Sequence, residues 1–541
     1  HTYILMTGIN FDSYLRNSLM DMYAKCGSLT EARWVFDQSL DWNIVTWTLL
    51  VEGYTLHSNG EEALRLFYRF KEGKEPNQAM FVSVLKACSS IADLRQGKKI
   101  HTLIVESGLP CDVNVGGALI GMYLECGRFD SAWRVFHVIT QPDVVTWSMM
   151  IGGCAQYEHC EKALNLFEQM QQEDIQPNQV TFVNILKICA STGRLNHGRL
   201  IHAHAIESGF DINIFVGNAL MNMYGRCGNN EDALIIFEKL PNQTVVSWTE
   251  MMESYSHSGL FSEAFEVFFK MRSSGISPTG ITFICLLSAC GKAGLLDEGC
   301  YHFREMVERC GIVPFLDHYN CMVELFGIAG YSDVAEDLLE TIPYKSNIVG
   351  WRSLLAQCQT GNTKLAQRCF DKVICLDYRD ATGYDMMSNV CKHSDSSDVI
   401  NVEELRMYAN AWKKPGKASI EIGKDVHTFN VGDRIHCQSD AIYTKLKNIR
   451  QKVEEAEVAS SSCAFLEDES EEGVHCEKLA IAFGLITTPN GTTIRLTKNL
   501  RVCSDCHYAS KIISKIEMRE IIISDTRCIH HFKDGLCSCG G

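Results

Sequence analysis

The feature that most constrains the fold of this chain is an internal repeat, because three different segments each return twice along its first part. The segment MDMYAKCGSLTEARWVF begins at Met20 and returns in altered form at Ile120 and Met221, at offsets of 100 and then 101 residues. Two further segments, VTWTLLVEGY from Val45 and FVSVLKACSSIADLRQGKKIH from Phe81, return with nearly the same spacing. The first part of the chain is therefore an array of unlike units of about 31, 35 and 35 residues.

Each unit has the pattern of two amphipathic helices joined by a turn. In ALNLFEQMQQEDIQPN, apolar residues recur three and four places apart and form one stripe, and Pro177 is expected to end the helix. The stripe consists of Ala163, Leu164, Leu166, Phe167 and Met170. Such a hairpin cannot bury its apolar face alone and must stack on its neighbours. The pattern predicts an α-solenoid over residues 1–347, and periodicity alone fits a protein-binding scaffold of the tetratricopeptide kind equally well.

Composition narrows the classes of partner. No stretch reaches the roughly 18 uninterrupted apolar residues that span a bilayer, so we expect a soluble protein with no membrane partner. Most of the 25 cysteines stand singly in apolar helical patterns, which predicts reduced, buried thiols with metal ligands as the exception. The formal net charge of −16 argues against indiscriminate binding to nucleic acid. It leaves room for a local site that reads bases.

The units resemble the pentatricopeptide repeats of the PLS class, which are found in plant organellar RNA-editing factors. The resemblance rests on a 35-residue unit with VVTWSMMI near its start, on ends similar to GIxPN or GIxPD, and on the alternation of longer and shorter variants. It covers residues 1–347. The resemblance implies a solenoid of helical hairpins that binds single-stranded organellar RNA, whereas a protein scaffold would have no affinity for RNA.

In that family each repeat reads one base through its fifth and last residues. Short polar side chains there can meet the Watson–Crick edges of splayed, single-stranded bases. Carried over to this chain, the resemblance implies six pairs: Asn17 with Asn43, Thr48 with Asn77, Ser148 with Asn178, Asn218 with Thr244, Thr249 with Thr279, and Asn320 with Asn347. On the family's code, Thr or Ser with Asn favours adenine, and Asn with Asn favours a pyrimidine. For any single residue the alternative is a helix cap, a role that Asn and Thr favour anyway.

After Asn347 the pattern changes in two steps. Residues 348–412 keep a helical period without the code positions, and they resemble the extension motifs that join such arrays to a C-terminal domain. KASIEIGKDVHTFNVGD then alternates apolar and polar residues around Gly423, which predicts a β-hairpin. We therefore expect a domain boundary near residue 413, with a separate domain over 413–541. Within it, an acidic, serine-rich stretch precedes residue 474.

A histidine, a cysteine and a glutamate then stand in consecutive places at the head of a predicted helix, EKLAIAFGL. His475 and Glu477 form H-x-E, and Cys503 and Cys506 form C-x-x-C further along. A catalytic zinc takes three protein ligands and keeps a fourth position for water. H-x-E followed by C-x-x-C is the signature of zinc nucleobase deaminases, in which the glutamate moves protons and is not a ligand. The motif predicts a catalytic zinc on His475, Cys503 and Cys506, with Glu477 as the catalytic residue.

In the order of its motifs this last domain resembles the DYW-type cytidine-deaminase domain, which implies an α/β fold and a second zinc. Cys537 and Cys539 are too close together to form a zinc knuckle by themselves. With His507 and His530, or with His531 in place of His530, they supply four ligands of the right type. The resemblance implies a structural zinc there, whose closed shell contributes to folding. The alternative is that these histidines are hydrogen-bonded core residues.

Several departures from the usual DYW pattern bear on the direction of the reaction. KKPGKAS lacks the glutamate that usually precedes Pro-Gly, and Cys476 stands where serine is usual. SDTRCIHHF differs from the family's usual sequence at that place, and the final Asp-Tyr-Trp is absent. These changes resemble the KP variant, which is associated with conversion of uridine to cytidine. Amination of uridine is therefore favoured over deamination of cytidine, and its nitrogen donor is left open. A non-catalytic RNA-binding adaptor that recruits other editing factors is the third reading.

Localisation is read only from the resemblance, which implies a mitochondrion or a plastid. Because the chain begins at His1 rather than at methionine, we expect its true N-terminus, with any targeting peptide, to be missing.

Overall fold

The computed structural model describes residues 13–539 apart from 39–41, 73, 344–346, 359–361, 393–401, 410, 412–414, 424 and 457–472. The chain divides into two compact units, His1–Ile188 and Cys189–Gly541. The predicted boundary near residue 413 and most of the acidic stretch before residue 474 lie outside the described residues. None of the described helices combines the length and the apolar character needed to cross a bilayer.

The first unit consists of consecutive helical hairpins. Its helices are α1 (Ser13–Lys25), α2 (Leu29–Asp37), α3 (Ile44–Leu56), α4 (Gly60–Lys71), α5 (Gln78–Ser90), α6 (Leu94–Glu106), α7 (Val113–Glu125), α8 (Phe129–Phe136), α9 (Val144–Gln156), α10 (Cys160–Gln172) and α11 (Gln179–Thr192), in which the division between units falls. From α1 to α9, the first helix of a hairpin packs on its own second helix and on the first helix of the hairpin beside it, as α1 packs on α2 and α3. This stacking confirms the predicted α-solenoid.

Apolar stripes hold these hairpins together, as the periodicity predicts. The stripe from Ala163 to Met170 on α10 is buried. The helix ends at Gln172 and not at Pro177, because Asp174 takes a left-handed φ of 57° that breaks the helical backbone first. At the turns inside two hairpins, Gly27 and Gly127 have φ of 79° and 73°, a region that costs a residue with a side chain more than it costs glycine.

The second unit begins with further helical hairpins. Its helices are α12 (Leu195–Glu207), α13 (Ile214–Arg226), α14 (Asn230–Lys239), α15 (Val245–His257), α16 (Phe261–Ser273), α17 (Gly280–Ala293), α18 (Leu296–Glu308), α19 (Leu316–Ile328), α20 (Ser332–Thr341), α21 (Ile348–Gln357), α22 (Thr363–Leu376), α23 (Ala381–Lys392) and α24 (Val402–Ala409). Helices α13, α15, α17, α19 and α21 stack successively on one another. The helices after residue 347 share one apolar core that includes Trp351, Leu354, Phe370 and Tyr384.

An α/β domain follows the helices. Its elements are β1 (Lys417–Ile422), β2 (Asp425–Asn430), α25 (Ser439–Ala456), α26 (Cys476–Thr487), β3 (Ile494–Lys498), α27 (Ser504–Ile516), β4 (Ile521–Ser524), β5 (Ile529–Lys533) and β6 (Leu536–Cys537). The sheet order is β2-β1-β3-β4-β5-β6. β3 and β4 are parallel and joined through α27, and the other pairs are antiparallel. The β1–β2 pairing confirms the hairpin predicted around Gly423.

Helix α26 lies at the centre of this domain. It contacts α25, α27 and the strands β1, β2 and β3. Leu479, Ile481 and Phe483 are all buried, as is most of the surface of this helix. Because α26 is apolar on nearly every side, it is fixed firmly, and the residues of its first turn are held in place.

The α/β domain contacts turns of the solenoid within the second unit. The hydroxyl of Thr497 donates to the Thr192 carbonyl at 3.1 Å, and Nη1 of Arg495 donates to the Cys227 carbonyl at 2.7 Å. His197 Nδ1 lies 2.5 Å from a carboxylate oxygen of Glu421 on β1. These contacts involve the turn after the first helix of a hairpin, at the opposite end of that helix from the predicted base-reading residues.

Candidate metal centre and nucleic-acid interface

Two helix N-termini bring the predicted catalytic ligands together. His475 directly precedes α26 in extended conformation, with φ −66° and ψ 143°. Cys503 precedes α27 in the same way, and its sulfur accepts a hydrogen bond from the Cys506 amide at 3.4 Å. Helix N-termini present unpaired N–H groups and a partial positive charge, which stabilise thiolates and carboxylates. The helix starts therefore both position the ligands and favour the ionised forms that bind metal.

The donor atoms of these residues suit a zinc ion. His475 Nδ1 lies 3.3 Å from Sγ of Cys503 and 3.3 Å from Sγ of Cys506. With Glu477 included, the four ligand atoms all lie within 4.8 Å of one another. Tetrahedral zinc with Zn–S of about 2.3 Å and Zn–N of about 2.0 Å places its ligand atoms roughly 3.5 Å apart. One nitrogen and two sulfur donors at these separations fit a zinc site with a fourth position available.

The two cysteine thiols ionise differently. A hydrogen bond with the Cys506 side chain and the proximity of His475 lower the pKa of Cys503 to about 4, although burial opposes this shift. The same hydrogen bond, together with burial, raises the pKa of Cys506. The pair thus provides one thiolate at neutral pH, and a bound cation would favour ionisation of the second thiol.

Glu477 is fully buried and has two side-chain partners. The Nζ of Lys498, at the end of β3, forms a salt bridge with one carboxylate oxygen, and the Cys476 thiol donates to the other at 3.2 Å. Burial alone would raise the pKa of Glu477, but the charge and hydrogen bond of Lys498 lower it overall. The carboxylate is therefore ionised at neutral pH and ready to accept a proton. Lys498 lies 21 residues after Glu477 and belongs to neither motif, so no sequence pattern marks it as a partner of the carboxylate.

The second predicted cluster is also brought together. His507 Nε2 lies 3.1 Å from Cys539 Sγ, the sulfurs of Cys537 and Cys539 lie 3.3 Å apart, and His530 Nδ1 lies 3.8 Å from Cys537 Sγ. The four ligand atoms lie within 4.8 Å of one another. Two nitrogen and two sulfur donors at these distances fit a closed, tetrahedral zinc site.

Strand alternation decides between the two neighbouring histidines. Successive side chains of a strand point to opposite faces, so the side chains of His530 and His531 on β5 lie on opposite faces of the sheet. His530 joins the cluster, whereas Nε2 of His531 lies 3.7 Å from a Glu520 oxygen. The arrangement therefore favours His530 as the fourth ligand.

Two residues that no sequence motif marks, Asp525 and Cys528, lie beside His530. Its Nε2 lies 3.3 Å from the Asp525 carboxylate and 3.4 Å from the Cys528 sulfur. Burial would raise the pKa of Asp525, but hydrogen bonds from His530 and from backbone amides, including that of Val502, lower it to about 2. A carboxylate that holds the outer nitrogen of a metal-binding histidine fixes its orientation. Since Val502 adjoins Cys503, Asp525 also connects the two clusters.

In the first unit, the predicted base-reading residues lie at the starts of first helices. The Thr46 hydroxyl lies 3.1 Å from Asn17 Oδ1 and 2.8 Å from Asn43 Oδ1, so one side chain joins the members of this pair. The Ser148 hydroxyl donates directly to Asn178 Oδ1 at 3.4 Å. Members of a third pair bond to backbone: Thr48 donates to the Ile44 carbonyl at 2.8 Å, and Asn77 accepts from the Met80 amide at 2.9 Å.

The second unit repeats these arrangements. Asn347 Nδ2 donates to Asn320 Oδ1 at 2.8 Å. The remaining pairs are joined through the third residue of the following helix. Ser247 contacts Asn218 at 2.8 Å and Thr244 at 3.3 Å, and Thr282 contacts Thr249 at 3.2 Å and Thr279 at 3.1 Å.

The helix-cap reading and the base-reading interpretation are compatible in this structure. Asn43, Asn77 and Asn347 each cap the following helix through Oδ1, as does Asn178. Capping uses only the oxygen end of the amide, and Asn also carries two N–H donors. The cap therefore fixes where the amide points. The role of these residues in reading RNA stays a prediction.

Family models match stretches of the repeat array and the C-terminal domain. A model of the DYW family of nucleic acid deaminases matches residues 454–541. A model of the PPR repeat family matches 142–191 and 243–292, and a second PPR repeat model matches 15–44, 45–74, 218–243 and 281–310.

Full-length relatives and solved structures agree with these matches. A mitochondrial pentatricopeptide repeat-containing protein of Arabidopsis thaliana is 36% identical over 538 residues, which cover 97% of this chain and 84% of that protein. The chloroplastic pentatricopeptide repeat-containing protein CRR2 of Arabidopsis thaliana is 35% identical, covering 100% and 84%. The fold is similar to that of the pentatricopeptide repeat protein PPR10 in complex with an 18-nt psaJ RNA element, with a TM-score of 0.57 and 18% identity over 74% of this chain and 61% of that one.

Proposed function

This chain is a pentatricopeptide repeat protein with a C-terminal DYW deaminase domain, and from that premise we propose that it is a site-specific organellar RNA editing factor. The observation that carries the proposal is the convergence of His475, Glu477, Cys503 and Cys506 within 4.8 Å. Three of these residues are metal ligands by type, and the fourth is a buried carboxylate suited to move protons. The same chain carries an array whose polar pairs recur at fixed places.

The repeat array would select the target. Its partner would be single-stranded organellar RNA, with one base opposite each polar pair. The helix-capping hydrogen bonds of the asparagines support this role. Hydrogen bonds distinguish one base from another only when the donors and acceptors are held in place. The mitochondrial and chloroplastic relatives support a location in one of these organelles.

The editing centre would act at carbon 4 of a pyrimidine. Zinc held by His475, Cys503 and Cys506 would supply Lewis acidity, which lowers the pKa of a water to about 7. Glu477 would accept a proton from the attacking water, protonate ring nitrogen 3 and assist the leaving group. Lys498 would act as a positioning residue, since it keeps Glu477 ionised and fixes its carboxylate. A second zinc on His507, His530, Cys537 and Cys539 would stabilise the fold.

We favour conversion of uridine to cytidine. The support is the set of sequence departures that resemble the KP variant, among them Cys476, whose thiol donates to the catalytic carboxylate. Amination uses the same groups in reverse, with Glu477 protonating the departing oxygen, and it requires an amine donor from outside the chain. Deamination of cytidine is the second candidate, supported by the match to the deaminase family.

A non-catalytic adaptor that works with other editing factors is the third candidate. It would keep zinc and RNA binding but would need neither Glu477 nor Lys498, and their buried salt bridge disfavours it.

A direct test uses the purified, zinc-loaded chain and a synthetic RNA that matches the recognition pairs. The RNA is prepared with either uridine or cytidine at each candidate site, with and without glutamine or ammonium as an amine source, and is sequenced. Conversion of either pyrimidine supports the proposal and sets the direction. Tight binding with no conversion under any condition favours the adaptor.

A further inference from the structure

A cavity of about 810 Å³ lies in the second unit and is not used by the mechanism above. Three permanently basic side chains line it: Lys292, Arg501 and Arg527. His530 and Cys539, which belong to the second cluster, form one edge of the lining. No aspartate or glutamate is among the described residues that form its lining. In a chain with a formal charge of −16, a cavity with this lining is a local site for an anion.

Two of the three permanent cations in the cavity form no salt bridge in the described part of the chain, although the charge of Glu253 partly offsets that of Lys292. Arg527 forms a salt bridge with Glu324. Within the described part of the chain, Lys292 and Arg501 have neither a salt bridge nor a hydrogen bond. Burial lowers the pKa of Lys292, which indicates that its ammonium group has lost part of its hydration. A phosphate oxygen near Lys292 would restore that lost stabilisation.

The walls of the cavity join the two parts of the proposed machinery. One wall is formed by the last residues and following turns of α15, α19 and α21, including His257, Ile328 and Gln357. The starts of these helices carry predicted base-reading residues, which lie about 12–20 Å from the cavity at a rise of about 1.5 Å per residue. The opposite wall includes Arg501, two residues before Cys503 in the candidate zinc centre.

We propose that this cavity binds the sugar–phosphate backbone of the RNA between the last recognised nucleotide and the pyrimidine to be edited. Lys292 and Arg501 would contact successive phosphates. The inference rests on the proposed function, because it takes the RNA strand to reach both the array and the zinc centre.

The other lining groups suit RNA better than a small anion. Helix C-termini expose carbonyl groups without intrahelical partners, which repel a free anion but accept hydrogen bonds from ribose 2′-hydroxyls. The volume is also near the upper end of the roughly 300–1,000 Å³ typical of small-molecule sites, more than a single phosphate fills. A polynucleotide offers phosphates and hydroxyls together.

The test compares two RNAs by fluorescence anisotropy with the full, zinc-loaded chain. The short RNA ends at the last recognised nucleotide, and the long RNA continues to the editing site. The variants are Lys292→Gln, Arg501→Gln and their combination. For the long RNA, we expect the double variant to bind roughly tenfold more weakly and the slope of log K against log salt to fall by about 1.4, since each phosphate contact contributes about 0.7 for single strands. Affinity for the short RNA should not change.

Arg304→Gln is the matched control, because Arg304 is exposed on α18 and does not line the cavity. It should bind both RNAs as the wild type does. Unchanged binding of the short RNA also shows that a variant is folded. The proposal would be overturned if the double variant lost affinity equally for both RNAs, or lost affinity for neither.

A third arm tests free phosphate, with pyrophosphate and ATP as probes. If either probe binds the wild type and not the double variant, while the salt slope for the long RNA is unchanged, the cavity is a site for free polyphosphate and the RNA proposal is wrong. Failure of the wild type to bind even the short RNA would overturn the proposed function itself, and the cavity proposal with it. Normal binding of the short RNA without a contribution from the extension would overturn only the cavity proposal.

Discussion

The two histidine–cysteine clusters of the C-terminal domain use the same ligand types but differ in what completes them. At the first cluster, three zinc-type ligands are joined by the ionised, buried Glu477, whose partner is Lys498. The second cluster has four zinc-type ligands, and the outer nitrogen of His530 is held by Asp525. The two clusters therefore differ in their fourth group. A carboxylate that can move protons permits catalysis at the first cluster, whereas a fourth metal ligand at the second limits it to stabilising the fold.

The largest expected effect comes from breaking the closed cluster. Cys537→Ser removes one of its four ligands and should cost one zinc and the cooperative unfolding transition of the C-terminal domain, because structural zinc contributes about 10–16 kcal/mol in small zinc-dependent folds. Zinc analysis and thermal unfolding followed by circular dichroism measure both effects.

Cys506→Ser is the matched variant at the open cluster. It should lose the other zinc and all editing, yet keep the unfolding transition, because the apolar core around α26 remains. If Cys506→Ser unfolds the domain as completely as Cys537→Ser does, the distinction between the two clusters fails.

The next largest effect is expected from Glu477→Ala, which distinguishes a catalytic carboxylate from a metal ligand. Glu477→Ala should reduce editing at least a thousandfold, at the upper part of the range for loss of a general acid–base group. Zinc content and RNA affinity should stay nearly unchanged. Loss of one zinc in this variant would identify Glu477 as a ligand and contradict its role in moving protons.

A smaller effect is expected from the partner of Glu477. Lys498→Met leaves a buried carboxylate unpaired and should lower the free energy of unfolding by about 3–5 kcal/mol. The double variant Lys498→Met with Glu477→Gln removes both charges and should recover most of that loss. Urea unfolding of the two variants is the measurement, and equal stability of the single and double variants would show that the salt bridge contributes little.

The smallest expected effect leaves both clusters intact. Ser148→Asn changes a pair that the family's code assigns to adenine into one that it assigns to a pyrimidine. Discrimination at one base should shift by about 1–3 kcal/mol, which is roughly fivefold to 150-fold in relative affinity. Competition binding with RNAs that differ at one nucleotide tests this change, with zinc content as the control. An unchanged preference would mean that Ser148 and Asn178 serve only as structural residues.

Much of the fold could be predicted because it repeats. Recurrence of whole segments fixed the hairpins, and the stripe on α10 is buried as its spacing required. Helix ends were harder to predict from the sequence. The helix α10 ends at Gln172 because of the backbone conformation of Asp174 and not because of the more conspicuous Pro177. The strands β4 and β5 have no distinctive local pattern beyond their apolar residues, and β4 also pairs with β3, from which α27 separates it in the chain.

For the candidate site, spacing identified the ligands but not their neighbours. H-x-E and C-x-x-C specify short-range geometry, and the structure brings His475, Glu477, Cys503 and Cys506 together. Lys498 lies 21 residues after Glu477 and reaches it only because β3 runs beside α26. Which of His530 and His531 joins the second cluster depended on the phase of β5, which the sequence left open. Such choices are made by tertiary packing, and a single sequence carries no direct signal for them.

The most direct test of the central claim is bacterial co-expression of this chain with a transcript that carries its target sites, followed by sequencing for both pyrimidine changes. Glu477→Ala serves as the paired control. We expect a site-specific change, with uridine read as cytidine favoured, that is present with the wild type and absent with Glu477→Ala. Wild-type protein that binds the transcript tightly and contains two zincs, yet changes neither pyrimidine, would contradict it.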